Sequence, residues 1–302
     1  MAQPLNAFRI VLASLVLSQP ATSQGRPAAD KALHLIRAVV AADSVAATKD
    51  VASDHLWTEF GSSAKAVHGK AQLMQGRQSL RDAATAPELD VKRVIANRRV
   101  VLVQGVIRGQ ANGRAASSEM FYLAWVREGE IKRSIVYWGS DVLRDSTLGR
   151  GAAAARLSAP EVVAQAPSVK LDSALIGKLY AFASYALGAR LAGLDGRTDI
   201  AREALHEVSV NVAASRRKST RDYLRTFSKT SLSLDQLYQA GVYTIATFTA
   251  NGTFTGTLAG ASGRNQQVQL QLLVVANLRG RIPRSLQSYV DLTDLRQKLG
   301  IM

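Results

Sequence analysis

The feature that most constrains the fold is a stretch that the chain writes twice, once in each half. "IKRSIVYWGSDVLR" begins at Ile131, and "IPRSLQSYVDLTDLR" begins at Ile282. Both open with Ile-x-Arg-Ser, pass through an aromatic residue, reach an Asp and end on Leu-Arg. A Gly-Arg pair precedes each copy at nearly the same distance, at 113–114 and 263–264. Self-similarity of this kind indicates a tandem duplication of one domain.

The same order of helix and strand predictions precedes each copy of this stretch. Apolar residues at helical spacing (Leu33, Ile36, Val40) predict a helix over 30–51, and "LIGKLYAFASYALGARLA" predicts its counterpart in the second half. A second helix is predicted in each half, at 70–85 and 214–228. Four runs rich in β-branched and aromatic residues then follow in both halves. Helices followed by a series of antiparallel strands predict an α+β fold.

A low-complexity segment separates the two halves. "DSTLGRGAAAARLSAPEVVAQAPSVK" is rich in Gly, Ala and Pro, which is typical of a linker. A length of 302 residues also fits two ordinary domains. We therefore predict a first domain over 24–145, a linker over 146–170 and a second domain over 171–302.

The N-terminus has the composition of an export signal. Arg9 precedes a short apolar core at 10–17, and small residues follow Pro20. This order predicts a cleaved signal peptide over 1–23 and a periplasmic or secreted protein. The alternative is a frayed apolar first helix. The apolar core is too short to span a bilayer, and no later run is long enough, so we predict no membrane span.

Composition excludes several classes of function. The formal net charge of +15 is spread along the chain, without the aromatic interleaving of a nucleic-acid-binding patch, so we predict no nucleic-acid partner. The chain has no Cys, and its four His residues do not stand at metal-ligand spacing. No Gly-rich phosphate loop follows a strand. We therefore expect neither a metal nor a cofactor.

The stretches "NGTFTGTLAGASGR" and "RIPRSLQSYVDLTDLRQKLG" resemble the SnoaL-like polyketide cyclase family. The resemblance covers roughly 175–301, whereas the first half resembles only the broader nuclear-transport-factor-two-like superfamily. It implies two tandem cone-shaped α+β barrels, each a curved antiparallel sheet packed on N-terminal helices. It also implies pairing through sheet faces, as an internal pseudo-dimer or a homodimer. An Asp at the end of the last strand acts in that family as the acid/base of an aldol ring closure, and Asp291 matches its position.

The chain departs from the family at other polar positions. A family His is Phe254 here, the His-Asn-Pro motif reads Val-Asn-Val around Asn211, and a Gly-Asp pair is replaced before Tyr243. These losses favour a protein that holds a small apolar, carbonyl-bearing molecule in a barrel cavity without catalysis, or with weak catalysis. The alternative is a cyclase or isomerase that uses Asp291. A third possibility is a structural role, in which the open sheet faces serve to pair one domain with another.

Strand alternation selects the remaining candidate residues. Gln287, Tyr289 and Asp291 share one face of the last strand and are predicted to border the pocket. Asp291 could instead cap the helix that follows it. Further candidate ligand-binding residues are Tyr243, Phe254 and Asn211 in the second domain, and Trp57, Tyr122 and Tyr137 in the first. These aromatic residues could equally be ordinary core.

Overall fold

A computed structural model describes residues 25–60, 67–70, 73, 85–111, 114–138, 161–164, 172–195, 225–279 and 282–300. Within these ranges the helices are α1 (Arg26–Ala41), α2 (Ser44–Lys49), α3 (Ser173–Leu194) and α4 (Thr293–Leu299). The strands of the first half are β1 (Val51–Phe60), β2 (Val67–His68), β3 (Thr85–Ala96), β4 (Val100–Ala111), β5 (Arg114–Arg127), β6 (Glu130–Trp138) and β7 (Glu161–Ala164). Those of the second half are β8 (Phe227–Ala240), β9 (Tyr243–Phe254), β10 (Thr257–Leu258), β11 (Ala261–Ser262), β12 (Gln266–Arg279) and β13 (Ile282–Val290).

The first half forms a seven-stranded sheet in the order β2-β1-β6-β5-β4-β3-β7. Strands β3 to β6 form an antiparallel meander, and β1 pairs in parallel with β6. Shifts of register interrupt the β3–β4, β5–β6 and β1–β6 pairs, and such bulges bend a sheet. Helix α1 crosses β3, β4 and β5 and buries Leu35, Ile36 and Val39 against one face. The interior of the first barrel lies between them.

The second half repeats this plan. Its four-stranded sheet has the order β13-β12-β9-β8, which is the same meander as β6-β5-β4-β3. Asp172 begins α3 by accepting a hydrogen bond from the Leu175 N–H at 2.9 Å. Leu179 and Phe182 then pack with the sheet into a second core. The predicted α+β class is confirmed, and the helix and meander recur in both halves.

The two sheets lie face to face. Side chains on the faces turned away from α1 and α3 form a third apolar cluster that includes Leu102, Leu123, Ile245 and Leu273. Polar contacts cross this boundary as well. The Gln104 Nε2 donates to the Gln287 Oε1 at 2.7 Å, the Trp125 Nε1 to the Tyr238 hydroxyl at 2.6 Å, and the Asn97 Nδ2 to the Gln239 carbonyl at 2.9 Å. The apolar outer face of each sheet is therefore covered by the other sheet.

Two local expectations change. The predicted helix over 30–51 ends at Ala41, a short α2 follows, and Val51 already begins β1. Part of the predicted linker, Glu161–Ala164, adds to the first sheet parallel to β3, because Glu-Val-Val-Ala has strand-forming β-branched residues at its centre. The helices predicted at 70–85 and 214–228 lie almost entirely outside the described residues. Across the described ranges, no helix is long and apolar enough to cross a membrane.

Candidate functional site

The last strand presents its predicted polar face to the first sheet. Tyr289 is buried there and meets Tyr137 edge-on, with ring centroids 5.2 Å apart. Gln287 on the same face accepts the hydrogen bond from Gln104. The alternate residue Val290 packs into the second barrel instead. We expected Gln287 and Tyr289 to border the barrel cavity, and strand alternation does place them together, but on the face between the two sheets.

Asp291 lies at the end of this face. Its backbone N–H donates to the Gln271 carbonyl at 2.8 Å and so continues the pairing of β12 with β13. Helix α4 has Leu292 at its N-cap, and no side chain caps it, so Asp291 does not serve as the side-chain cap considered above. The Asp294 carboxylate instead secures α4 by accepting from the Gln269 N–H and from Lys298, both at 2.9 Å. The negative charge of Asp291 also acts on Tyr137 of the first half, whose pKa it helps to raise.

Tyr243 and Tyr137 also lie between the sheets. Both are buried in the third cluster, and the Arg93 guanidinium stacks over the Tyr243 ring at 5.2 Å. Burial raises the pKa of Tyr137; Arg133 opposes this shift, whereas the negative charges of Asp235 and Asp291 add to it. These two tyrosines were predicted to bind ligand, but the structure uses their rings to join the two halves. Asn211 lies outside the described residues.

Phe254 is the predicted residue that does enter the second barrel. It is fully buried beside Phe227, with ring centroids 5.5 Å apart. Phe227 borders a cleft of about 120 Å³ between α3 and the strands β8, β9 and β12. The lining residues are Ser184, Leu187, Phe227, Thr230, Ser231, Leu232, Ala250, Asn251, Gly252, Val268 and Leu270.

The cleft has an apolar base and a hydroxyl-bearing side. Leu187, Val268 and Leu270 are buried members of the second core. Thr230 and Ser231 are exposed on β8, where the pairing with β9 shifts register. Gly252 allows Phe227 to approach closely, since a Cβ at this glycine would lie 3.2 Å from the Phe227 Cβ. None of the residues named as lining the cleft is ionisable, so it suits a neutral molecule.

A buried polar cluster occupies the first barrel. Trp57 and Tyr122, both predicted from sequence, lie in its core with ring centroids 6.0 Å apart. The Trp57 Nε1 donates to the Glu59 Oε1 at 2.8 Å. The Ser134 hydroxyl lies 2.9 Å from the Tyr122 hydroxyl and 3.0 Å from the His55 Nε2. Sequence reasoning missed His55, Glu59 and Ser134.

Burial sets the protonation of this cluster. It lowers the pKa of His55 to about 4, and the negative charge of the neighbouring Asp54 opposes the shift only in part. His55 is therefore neutral near pH 7. Burial also raises the pKa of Tyr122, while the hydrogen bond with Ser134 acts in the opposite sense. His55, Ser134 and Tyr122 therefore present neutral hydrogen-bonding groups beside the aromatic rings near pH 7.

No group of three or more His, Asp or Glu side chains stands ready to hold a metal ion in the described parts of the chain. The buried donors and acceptors of the first barrel contact one another instead, through His55, Ser134 and Tyr122.

The chain is similar to solved structures over about two-fifths of its length. One is a candidate SnoaL-like polyketide cyclase from Jannaschia sp. CCS1, 16% identical over 38% of this chain and 87% of that one, with a TM-score of 0.34. Another is an NTF2-like protein from Burkholderia xenovorans LB400, 18% identical over 40% of this chain and 95% of that one, with a TM-score of 0.34. A third, with a ketosteroid isomerase-like fold, comes from Catenulispora acidiphila DSM 44928; it is 15% identical over 38% of this chain and 88% of that one, with a TM-score of 0.34.

These likenesses concern SnoaL-like and nuclear-transport-factor-two-like proteins, the group that the sequence motifs resemble. No family model matches the chain, and no curated protein matches it. At such identities and TM-scores, no activity, substrate or partner transfers from these proteins to this chain.

Proposed function

We propose that the second barrel holds a small, neutral, largely apolar molecule in the cleft between α3 and the sheet. The observation that carries this proposal is the cleft itself, about 120 Å³ in volume and based on Leu187, Val268 and Leu270. An apolar protein cavity of roughly 150 Å³ accommodates benzene. The cleft therefore encloses at most about one ring, and a short substituent would extend toward the exposed residues Thr230 and Ser231.

The polar side of the cleft fits a carbonyl group on that molecule. Thr230 and Ser231 place hydroxyl groups at the cleft from an exposed stretch of β8, and a hydroxyl can donate to a carbonyl oxygen. Binding without catalysis is favoured because the named lining residues include no acid or base. A cyclase or isomerase that used Asp291 would need this carboxylate at the cleft, whereas Asp291 follows a strand face that meets the other sheet.

Acetophenone, a ring with one ketone, is a suitable probe for this cleft. We expect wild-type protein to bind it with a dissociation constant of about 0.1–1 mM, the range of a weakly held small ligand. Ala250→Leu should abolish the binding, because the buried Ala250 side chain borders the cleft and three added carbon atoms would fill it. Ligand-observed NMR titration of both proteins measures the difference.

Ala261→Leu is the matched control. It adds the same three carbons on the β10–β11 hairpin, away from the cleft, and acetophenone binding should stay at the wild-type level. Far-UV circular dichroism confirms that both variants remain folded. Equal binding by wild-type and Ala250→Leu would refute the cleft as the binding site.

We further propose that the chain is exported and processed near residue 23. The support is the order of Arg9, the apolar core at 10–17 and the small residues after Pro20. Protein purified from the native host should begin near Gln24 when its N-terminus is sequenced. A chain that retains Met1 and fractionates with the cytosol would contradict this proposal.

A further inference from the structure

The helix side of the cleft in the second barrel carries a hydroxyl, on Ser184. This residue is half-buried in the middle of α3 and lines the cleft together with Leu187. Its Oγ donates to the Tyr180 carbonyl, one helical turn earlier, at 3.0 Å. A hydroxyl has one proton and two acceptor lone pairs, so this bond uses the proton and leaves the oxygen able to accept. The α3 wall therefore offers the cleft a hydrogen-bond acceptor.

The sheet wall of the cleft offers a donor, on Thr230. This residue lies in β8 where the pairing with β9 shifts register, between Ser228 and Ser231. The atom of Thr230 nearest to Gly252 is its methyl carbon, which would lie 3.4 Å from a Cβ at this glycine. The methyl group therefore packs toward β9, and the hydroxyl is left to donate to a ligand.

Tyr180 holds these two walls together. Its hydroxyl accepts from the Leu234 N–H of β8 at 3.0 Å, and its ring meets Phe248 of β9 edge-on, with centroids 5.2 Å apart. Tyr180 also supplies the carbonyl to which Ser184 donates. One residue therefore secures α3 against the sheet and sets the direction of the Ser184 hydroxyl, so the acceptor on the helix is positioned before any ligand arrives.

We infer that the cleft selects a carbonyl compound with an adjacent N–H or O–H donor, and that a small neutral carboxamide is the class that fits. This inference rests on the proposed function, because it concerns the same cleft. The carbonyl oxygen accepts from the hydroxyl side of β8, and the amide N–H donates to the Ser184 Oγ. A carboxylic acid of the same shape is ionised near neutral pH, and the named lining residues include no cation to pair with it.

Benzamide and acetophenone test this selection, because they have nearly the same shape and differ in an amide NH2 group against a methyl group. We expect wild-type protein to bind benzamide about fivefold more tightly than acetophenone, the factor that one neutral hydrogen bond supplies. Ser184→Ala should remove the preference, with benzamide binding weakened about fivefold and acetophenone binding changed less than about twofold. Alanine is the best helix former, so α3 is kept.

Ser173→Ala is the matched control. Ser173 is exposed at the start of α3 and is not among the residues named as lining the cleft, so both dissociation constants should stay at their wild-type values. Ligand-observed NMR titration with each probe measures all of these proteins. Wild-type protein that bound acetophenone as tightly as benzamide would overturn the inference.

Ala250→Leu separates a failure of this inference from a failure of the proposed function. If Ala250→Leu still binds both probes as wild type does, the cleft is not the binding site and both proposals fall. If Ala250→Leu abolishes binding of both probes, but Ser184→Ala leaves the ratio of their dissociation constants at the wild-type value, the cleft binds ligand and the selection of a carboxamide alone is refuted.

Discussion

Tyr289→Ala is expected to lower the free energy of unfolding by about 3 kcal/mol, within the range for removing a large buried aromatic ring. Tyr289 is 8% exposed and packs edge-on against Tyr137 of the other half. The loss should destabilise both halves together, because the cluster between the sheets draws buried side chains from each. Removal of the ring therefore tests whether the two halves unfold as one unit.

The positions of the tryptophans allow unfolding of the first half to be measured. Trp57, Trp125 and Trp138 all belong to the first half, so tryptophan fluorescence follows that half during unfolding in urea. Far-UV circular dichroism follows both halves. In wild-type protein we expect the two signals to change at the same urea concentration. In Tyr289→Ala the fluorescence midpoint should fall, although the substitution lies in the second half.

Tyr289→Phe is the control, since it keeps the ring and should cost less than about 1 kcal/mol. An unchanged fluorescence midpoint in Tyr289→Ala, with only the circular dichroism signal shifted, would show that the halves unfold independently. The face-to-face packing of the sheets would then contribute little to stability.

The α+β class could be predicted because strong local signals agree with the fold. The β-branched runs that became β4, β9 and β12 bury apolar side chains, and turn residues separate them from their neighbours. Helix α3 begins after an Asp that caps it, and its residues Leu175, Leu179 and Phe182 are buried. In such segments one face is buried in a core, so the spacing of the apolar residues follows the period of the helix or strand. The type of element can then be predicted from the segment alone.

Strand β1 was missed because its inward face is polar. His55 and Glu59 are buried on either side of Trp57 on the inward face, and Leu56 and Thr58 alternate with them. The apolar alternation that identifies a half-buried strand is therefore hidden. A strand can bury such residues when hydrogen bonds satisfy them, and these bonds join residues far apart in sequence, such as His55 and Ser134.

The location of the predicted polar face was misjudged for a related reason. Alternation correctly grouped Gln287 with Tyr289, but a period of two does not say which side of a sheet faces the barrel. In this protein both sides of β13 are covered, by the second core at Val290 and by the other sheet at Tyr289. Which of two buried faces borders a cavity depends on how the halves pack together, and no local pattern encodes that.

Acidification should destabilise the protein through His55. Its pKa is about 4 in the folded state against 6.5 for an unperturbed His, because burial disfavours the charged form. Between these values the unfolded chain binds a proton that the folded chain does not, so stability falls as the pH falls. The contribution is present in full above pH 6.5. By pH 5 the loss should be about 2 kcal/mol, and below pH 4 it should reach about 3 kcal/mol.

His55→Gln isolates this contribution, since it removes the ionisable ring and can keep the hydrogen bond with Ser134. His34, His68 and the carboxylates are common to both proteins, so their effects cancel in the difference between wild type and variant. Urea unfolding at pH 7, 6 and 5 gives the two stability curves. The wild-type curve should fall more steeply than that of the variant, and the gap should close by about 2 kcal/mol between pH 7 and pH 5. Parallel curves over this range would mean that His55 takes up a proton in the folded protein as readily as in the unfolded chain, which is incompatible with an enclosed imidazole.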